Sequence, residues 1–408
     1  MDAVIPMKCV PDLPVEVLAG GRLSEIEAKP MQPYSYEAVA FLAELSQGLL
    51  ANPAIRAYPD LVGFAYWCRK ANLQRLARDW KSQGQRIGRG IAFHIAPGNV
   101  PVNFAFSLGI GLLAGNANIV RVSGKRHPQT SLICAEIDRI AKQLGHERVA
   151  SMIRVILYPH DDAITAVLSE SCHARILWGG DTTIAHLRTL PVSPRCVDVV
   201  FADRYSLCVM DASAILAAEK EAVEALAAGF YNDVFVLDQN ACSSPHLVVW
   251  RGDAAEVDQA MLRFWGAVEH LLLSKPPSPV MHGLDKYAHL CRISVLLDSC
   301  VSVTRHQNLI YRVRLRELSS GIEHYKGRYG FFFEAVVKNV ESLKTIVGER
   351  YQTVTCFGVD PEEIIALVVN MGWTGIDRVV PVGKALDIGV VWDGYNLIET
   401  LSRTVADC

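Results

Sequence analysis

Gly90-Ile-Ala-Phe-His-Ile95, Ala96-Pro-Gly-Asn-Val-Pro101, the apolar run Val102 to Ala114, and Gly115-Asn-Ala-Asn-Ile-Val-Arg-Val-Ser123 stand in one unbroken stretch. The first piece is β-rich, the run Val102 to Ala114 is helical in pattern, and Asn118 to Val122 is β-rich again. A parallel strand pair needs a long crossover, which a helix supplies. Outward from this unit, Gln129 to Leu144 reads as helix, Met152 to Tyr158 as strand and Asp162 to Ser169 as helix. Ala174 to Trp178 then reads as strand, Thr182 to Leu190 as helix and Val197 to Phe201 as strand. The alternation predicts an α/β fold, a parallel sheet with helices on both faces. Such sheets bind ligands at the carboxyl ends of their strands. That singles out the loops Ala96-Pro97-Gly98-Asn99, Val122 to Lys125 and Gly179-Gly180-Asp181-Thr182.

With 408 residues the chain is too long for one ordinary core, and two domains are expected. A second α/β unit begins near Ala212, carrying Cys242, a strand His246 to Trp250 and a helix Ala255 to Leu273. Phe331 to Val337, Thr353 to Phe357 and Arg378 to Val382 supply further strands, while the first 85 residues read as helices. Net charge is -3 with scattered Lys and Arg, which gives no footprint for nucleic acid. Eleven cysteines without a CxxC pair fit a reducing cytoplasm and not a disulfide framework. Met1-Asp-Ala-Val has no basic region leading into an apolar core, so no signal peptide is expected. Val100 to Val120 holds 21 residues without a charge. It breaks at Gly115-Asn116, and the roughly 13-residue helix left over is too short to span a membrane.

Cys242 lies in Asp238-Gln-Asn-Ala-Cys-Ser-Ser-Pro245, between the Ala-rich helical pattern Ala214 to Gly229 and a strand. Most cysteines are small buried hydrophobes, and Cys134 and Cys208 sit in apolar runs of that kind. The polar neighbours Gln239, Asn240, Ser243 and Ser244 mark Cys242 as a nucleophile facing a cleft. Asn99 can aim an amide at what the thiol attacks, and thiol plus amide is the minimum for thioester chemistry. Gly109-Ile-Gly111 lies inside a helix and lacks a third glycine, so it is no phosphate loop. Trp178-Gly-Gly-Asp-Thr182 opens a helix, either with its N–H groups facing an anion or as a tight turn capped by Asp181. Arg121, Ser123, Gly124, Lys125 and Arg126 form a solvated basic loop or, beside a nucleotide, a ribose and phosphate clamp. His282, His289 and Cys291 lack metal-ligand spacing, and no metal is expected.

Pro97-Gly-Asn-Val-Pro101, Gly115 through Arg121, Trp178 to Asp181, Asp238 to Pro245, Gly375 to Lys384 and Trp392-Asp-Gly-Tyr395 together carry a resemblance. From about residue 88 to 405 the chain resembles the acyl-CoA reductases related to the long-chain fatty acyl reductase of bacterial bioluminescence, a branch of the aldehyde dehydrogenase superfamily. The resemblance implies an aldehyde dehydrogenase-like fold with a Rossmann-type dinucleotide-binding domain and an α/β catalytic domain. Residues 1–211 are then a helical region with the NAD(P) domain and 212–384 the catalytic domain. Residues 385–408 form a segment packing on the cofactor domain or a neighbouring subunit.

Within that resemblance Cys242 is the catalytic thiol and Asn99 the oxyanion amide. Gly180, Asp181 and Thr182 align with the turn beside the pyrophosphate, and Glu349 holds the nicotinamide ribose. Ala96, Pro97, Gly98 and Gly179 complete the cofactor loops. Three departures matter. Phe201 stands where aldehyde-oxidising members have a water-activating glutamate, which points away from hydrolysis. Gly124 replaces a carboxylate beside Arg121 and Lys125, which favours NADPH over NADH. Ala185 replaces a glycine that closes the turn. The expected reaction is reduction of an acyl-CoA or acyl-carrier protein thioester to an aldehyde through an acyl-cysteine. The alternatives are acylating aldehyde oxidation, a cysteine acyltransferase, or a catalytically idle nucleotide binder. A homo-oligomer working with an acyl-activating enzyme is expected.

Overall fold

The computed structural model describes residues 10–80 and 84–406. Met1-Asp-Ala-Val, on which the signal-peptide expectation rests, lies outside them. The chain divides into two compact units, one ending at Ala202 and resuming at Ile388, the other spanning Asp203–Asp387.

The first unit contains β1 (Glu16–Ala19), β2 (Gln85–Gly88), β3 (Ile91–Ile95), β4 (Ala117–Arg121), β5 (Ile153–Leu157), β6 (Ala174–Trp178) and β7 (Val197–Phe201). Its main sheet has the order β1-β5-β4-β3-β6-β7. All pairings in it are parallel except the antiparallel one between β1 and β5. Every residue of β3 and β4 is buried, as strands covered on both faces must be, which is why they read as continuous apolar runs. Helix Asn103–Leu113 is 11 residues long and almost wholly buried, and no helix among the described residues is long and apolar enough to cross a membrane. Chain order runs from β3 to β4 and β5 on one side, then returns to β6 and β7 on the other. The carboxyl ends of β3 and β6 therefore flank the switch point where such sheets open a crevice.

Helices Tyr36–Ala51, Pro59–Trp67 and Lys70–Asp79 lie among the described residues of the first 85. The expectation of helices alone there is corrected by β1, a four-residue edge strand too short and too exposed to show a period. After Ile388 the chain forms a small hairpin, β15 (Val391–Trp392) with β16 (Tyr395–Asn396), and β17 (Ser402–Val405) pairs antiparallel with β2.

The second unit contains β8 (Tyr205–Asp211), β9 (Pro245–Arg251), β10 (Cys300–His306), β11 (Ile310–Leu315), β12 (Phe331–Val337), β13 (Tyr351–Phe357) and β14 (Arg378–Pro381). The sheet order is β10-β11-β12-β9-β8-β13-β14, parallel apart from the β10–β11 hairpin. Both faces are core: Leu207 and Val209 pack into one cluster, Cys208 and Met210 into the other. The Ala-rich pattern from Ala214 is two helices, Ala212–Ala217 and Lys220–Val234. Arg263 donates to the Ile215, Leu216 and Ala218 carbonyls, satisfying the end of the first helix so that the chain can turn.

Candidate active site

In the first unit, the Ala96 N–H donates to the Arg121 carbonyl at 3.0 Å, so the loops leaving β3 and β4 start side by side. Gly98 lies against the second loop; a Cβ there would meet Ser123 Oγ at 2.8 Å, so the two loops approach closely at this point. Ser123 Oγ accepts from the Lys125 N–H at 3.2 Å. Ala96, Pro97, Gly98, Ser123, Gly124 and Lys125 are thus neighbours along these two loops, with Asn99, Gly124 and Lys125 exposed. At Gly124 a Cβ would meet no atom within 4 Å.

Arg121 is buried, with its guanidinium 4.9 Å from the Tyr158 ring centroid and one nitrogen donating to the Tyr158 carbonyl at 3.3 Å. Its Nε is buried without a hydrogen-bond partner. Arg126 is exposed and pairs with Glu16 at 3.3 Å.

β6 ends at Trp178, and the Gly179 N–H donates to the Phe201 carbonyl at 3.2 Å. Gly180 is the N-cap of helix Asp181–Thr189, and no side chain caps it. Asp181 is thus the first helical residue and not the cap. The leading N–H groups of a helix have no intrahelical partners, so the turn Gly179 to Thr182 offers donors at the switch point. Phe201, closing β7, is buried and stacked on Trp178 at 3.8 Å and 20°, with Tyr395 edge-on at 5.9 Å. Beneath the sheet, Trp178 Nε1 donates to Ser107 Oγ at 3.4 Å, and Ser107 Oγ lies 2.7 Å from His94 Nδ1. His94 Nε2 faces Asn118 Oδ1 at 2.9 Å. Burial pushes His94 down to about 4, so it is neutral here, and the partners assign its proton to Nε2.

In the second unit, Cys242 is half-buried in the loop between helix Lys220–Val234 and β9. Asp238 and Gln239 take left-handed backbone angles, φ 52 and 61, and Gln239 holds that conformation in place. Its amide donates to the Pro245 and Phe331 carbonyls at 3.0 Å each and accepts from the Gly330 and Phe331 N–H groups at 3.0 and 3.2 Å. Ser206 Oγ donates to the Cys242 carbonyl at 2.7 Å and accepts from the Thr353 N–H at 3.2 Å. Buried Asp233 accepts from the Gly383 and Ala385 N–H groups at 2.6 and 2.8 Å, and burial raises it to about 6. Arg378 donates to the Lys384, Ala385 and Asp387 carbonyls. Burial lowers its pKa, while Asp387, Asp233 and the Cys242 sulfur favour its charged form.

Cys242 precedes β9 and Glu349, which is exposed, precedes β13. These strands are parallel to the intervening β8, so both residues lie on one edge of the sheet. Sequence reasoning missed Ser206, because β8 went unread although Leu207 to Met210 is an unbroken apolar run. It named Gln239 only as a polar neighbour and gave Asp233 and Arg378 no role; no local pattern marks what they bind.

Residues 68–404 match the family described as acyl-CoA reductase (LuxC). The long-chain acyl-protein thioester reductase of Vibrio harveyi is 30% identical over 189 residues, 44% of this chain and 36% of that protein. The protein of that name from Photorhabdus laumondii is 25% identical over 322 residues, 77% of this chain and 62% of its own length. The chain thus spans less than two thirds of the curated relatives it matches. Among solved structures, an NAD-dependent benzaldehyde dehydrogenase from Corynebacterium glutamicum is similar at TM-score 0.56 and 12% identity, over 91% of this chain and 85% of that one. A putative aldehyde dehydrogenase from Burkholderia cenocepacia gives 0.56 and 14%, over 90% and 83%. On an aldehyde dehydrogenase-like α/β fold, with residues 68–404 matched, the chain belongs to the acyl-CoA reductase (LuxC) family.

Proposed function

We propose that this protein reduces an acyl thioester, an acyl-CoA or acyl-carrier protein carrying a fatty acyl group, to an aldehyde with NADPH as reductant. The observation that carries the reading is the Cys242 loop, a half-buried thiol whose backbone is pinned by Ser206 and Gln239 with Arg378 in electrostatic range. The Cys242 thiolate attacks the acyl carbon, the donor's C–S bond breaks, and the donor leaves as a thiol. Asn99 and the Cys242 N–H hold the oxyanion in between.

The first unit's loops suit a dinucleotide, since an uncapped helix N-terminus and open space at Gly124 and Gly180 flank a switch point. Ala96, Pro97, Gly98, Gly179, Gly180, Asp181 and Thr182 would hold the pyrophosphate. Arg121, Ser123, Gly124 and Lys125 would face the adenosine ribose and its 2′-phosphate, and Glu349 the nicotinamide ribose. When bound, NADPH supplies the hydride that releases the acyl group from Cys242 as aldehyde. Phe201, locked against Trp178, offers no base to activate water, which supports reduction over hydrolysis.

The relatives' names support a protein-bound acyl donor, and unbridged cysteines throughout the described residues support a reducing cytoplasm. A homo-oligomer served by an acyl-activating enzyme completes the reading. Acylating oxidation of an aldehyde would use the same residues in reverse. Oxidation of NADPH across a panel of acyl thioesters tests the proposal. Radiolabelled acyl-CoA without cofactor should label the protein covalently, and Cys242→Ala should abolish both label and turnover; a variant that keeps either would overturn it.

A further inference from the structure

We propose that a basic pocket in the second unit binds the phosphate groups of the thioester donor, on the same sheet edge that carries Cys242. The inference rests on the reading of this protein as acting on acyl thioesters and names where the donor's anionic end is held.

The cavity has a volume of about 300 Å³ and is lined by Lys286, His289, Arg292, Lys326, Arg328 and Tyr329. Asp285 is the one carboxylate in its wall. Lys286, His289 and Arg292 recur every third residue in helix Val280–Leu296, which puts them on one face. That face packs on the segment entering β12: the His289 ring meets Phe331 edge-on at 4.7 Å, and Nε2 donates to the Tyr325 carbonyl at 2.9 Å. The Arg292 guanidinium donates to His289 Nδ1 at 3.2 Å.

Lys286 is buried and donates to the Asn308, Leu309 and Tyr329 carbonyls at 2.6, 2.8 and 2.7 Å, so it shapes the wall and adds charge from behind it. Lys326 is paired with Asp203, whereas exposed Arg328 has no ion pair among the described residues. Four cations against Asp285 leave the cavity positive, with only Lys326 offset from outside. Buried His246 registers the same field: burial first, then Lys326, Arg328 and His289, push it down to about 3.

Arginine forks and a lysine around a polar cavity match phosphate and do not match an acyl chain. The pocket is also tied to the nucleophile. The Tyr329 N–H donates to the Asp238 carbonyl at 3.3 Å, and Gln239 grips the next two N–H groups, so the pocket wall and the Cys242 loop hold each other. His282, grouped in the sequence with His289 but without metal spacing, stacks on Tyr329 at 3.8 Å.

Both CoA and a carrier protein present a phosphate at the end of the pantetheine arm, and CoA adds a 3′-phosphorylated AMP to it. The test compares acyl-CoA, acyl-phosphopantetheine and acyl-pantetheine as donors for the Arg292→Ala, Arg328→Ala and double variants. KM for acyl-CoA should rise about tenfold or more in the double variant, with KM for acyl-pantetheine and for NADPH unmoved. A matching rise with acyl-phosphopantetheine assigns the pocket to the phosphate shared with carrier proteins, and a rise confined to acyl-CoA assigns it to the 3′-phospho-AMP end. Equal changes for all three donors, or none, overturn the proposal. Calorimetric titration of CoA into Cys242→Ala protein reads the pocket independently of turnover. There the double substitution should weaken CoA binding about tenfold or more, and an unchanged affinity would sink the site even if acylation of Cys242 were confirmed.

Discussion

Two residues of the first unit decide what can be tested one side chain at a time. Asn99 is exposed at the end of a loop whose first residue is tied to β4. If it donates to the oxyanion, Asn99→Ala should lower kcat on the order of 100-fold while leaving NADPH affinity intact; an unchanged kcat would assign Asn99 to loop structure. Gly124 has open space around it, so Gly124→Glu introduces charge without a clash. A charge-assisted hydrogen bond to phosphate contributes about 1.5 to 3 kcal/mol, or roughly ten- to a hundredfold in affinity. Repulsion of a 2′-phosphate should erode or invert a preference of that size. Cofactor titration of both proteins reads this, and a wild-type preference for NADH would contradict the assignment.

At the scale of elements, the sheet and helix of the first unit are joined by the buried chain Trp178–Ser107–His94–Asn118, each donor meeting an acceptor. Burial holds His94 at about 4 against the ordinary 6.5, so it is neutral near pH 7. The sign follows from the unfolded state, which takes up the proton first as pH falls. Stability is therefore fully present above about 6.5 and is lost progressively down to about 4. The total is on the order of 3 kcal/mol at 1.36 kcal/mol per unit. Thermal unfolding between pH 7 and 4 should show the decline, and His94→Gln, which cannot titrate, should flatten it while lowering stability at pH 7. An equally steep decline in the variant would place the acid sensitivity elsewhere.

Across the whole molecule, the last segment belongs to the first unit although the second unit intervenes in the chain. Arg86 donates to Glu399, Ser402 and Thr404, Arg89 to the Thr400 carbonyl, and Asn116 to the Leu401 carbonyl. Asn116 also accepts from the Arg89 and Gly90 N–H groups at the entrance to β3. Truncation after Asp387 removes β17 from β2 and leaves the buried Asn116 amide without the Leu401 carbonyl, at about 1–3 kcal/mol. The truncated protein should lose cofactor binding and become protease-sensitive in residues before Ala202; retention of NADPH affinity would show that the tail is dispensable.

The alternation of strands and helices was legible because buried parallel strands are continuous apolar runs broken by Gly, Asn and charged residues. Ala174–Trp178, Val197–Phe201 and Phe331–Val337 fall where the sequence predicts them. Cys242 stood out for a local reason, its polar neighbours. Edge strands β1 and β10 did not, since exposed residues carry no burial pattern. Strand order was beyond the sequence too, for hydrophobic period says which segments are buried and not which lie side by side. The sequence alone thus determined an α/β chain with a cysteine in a polar loop. The switch point between β3 and β6, the grip of Ser206 and Gln239 on the Cys242 loop, the basic pocket beside it and the return of the tail to β2 were decided by tertiary structure, because each rests on hydrogen bonds or packing between residues distant in the chain.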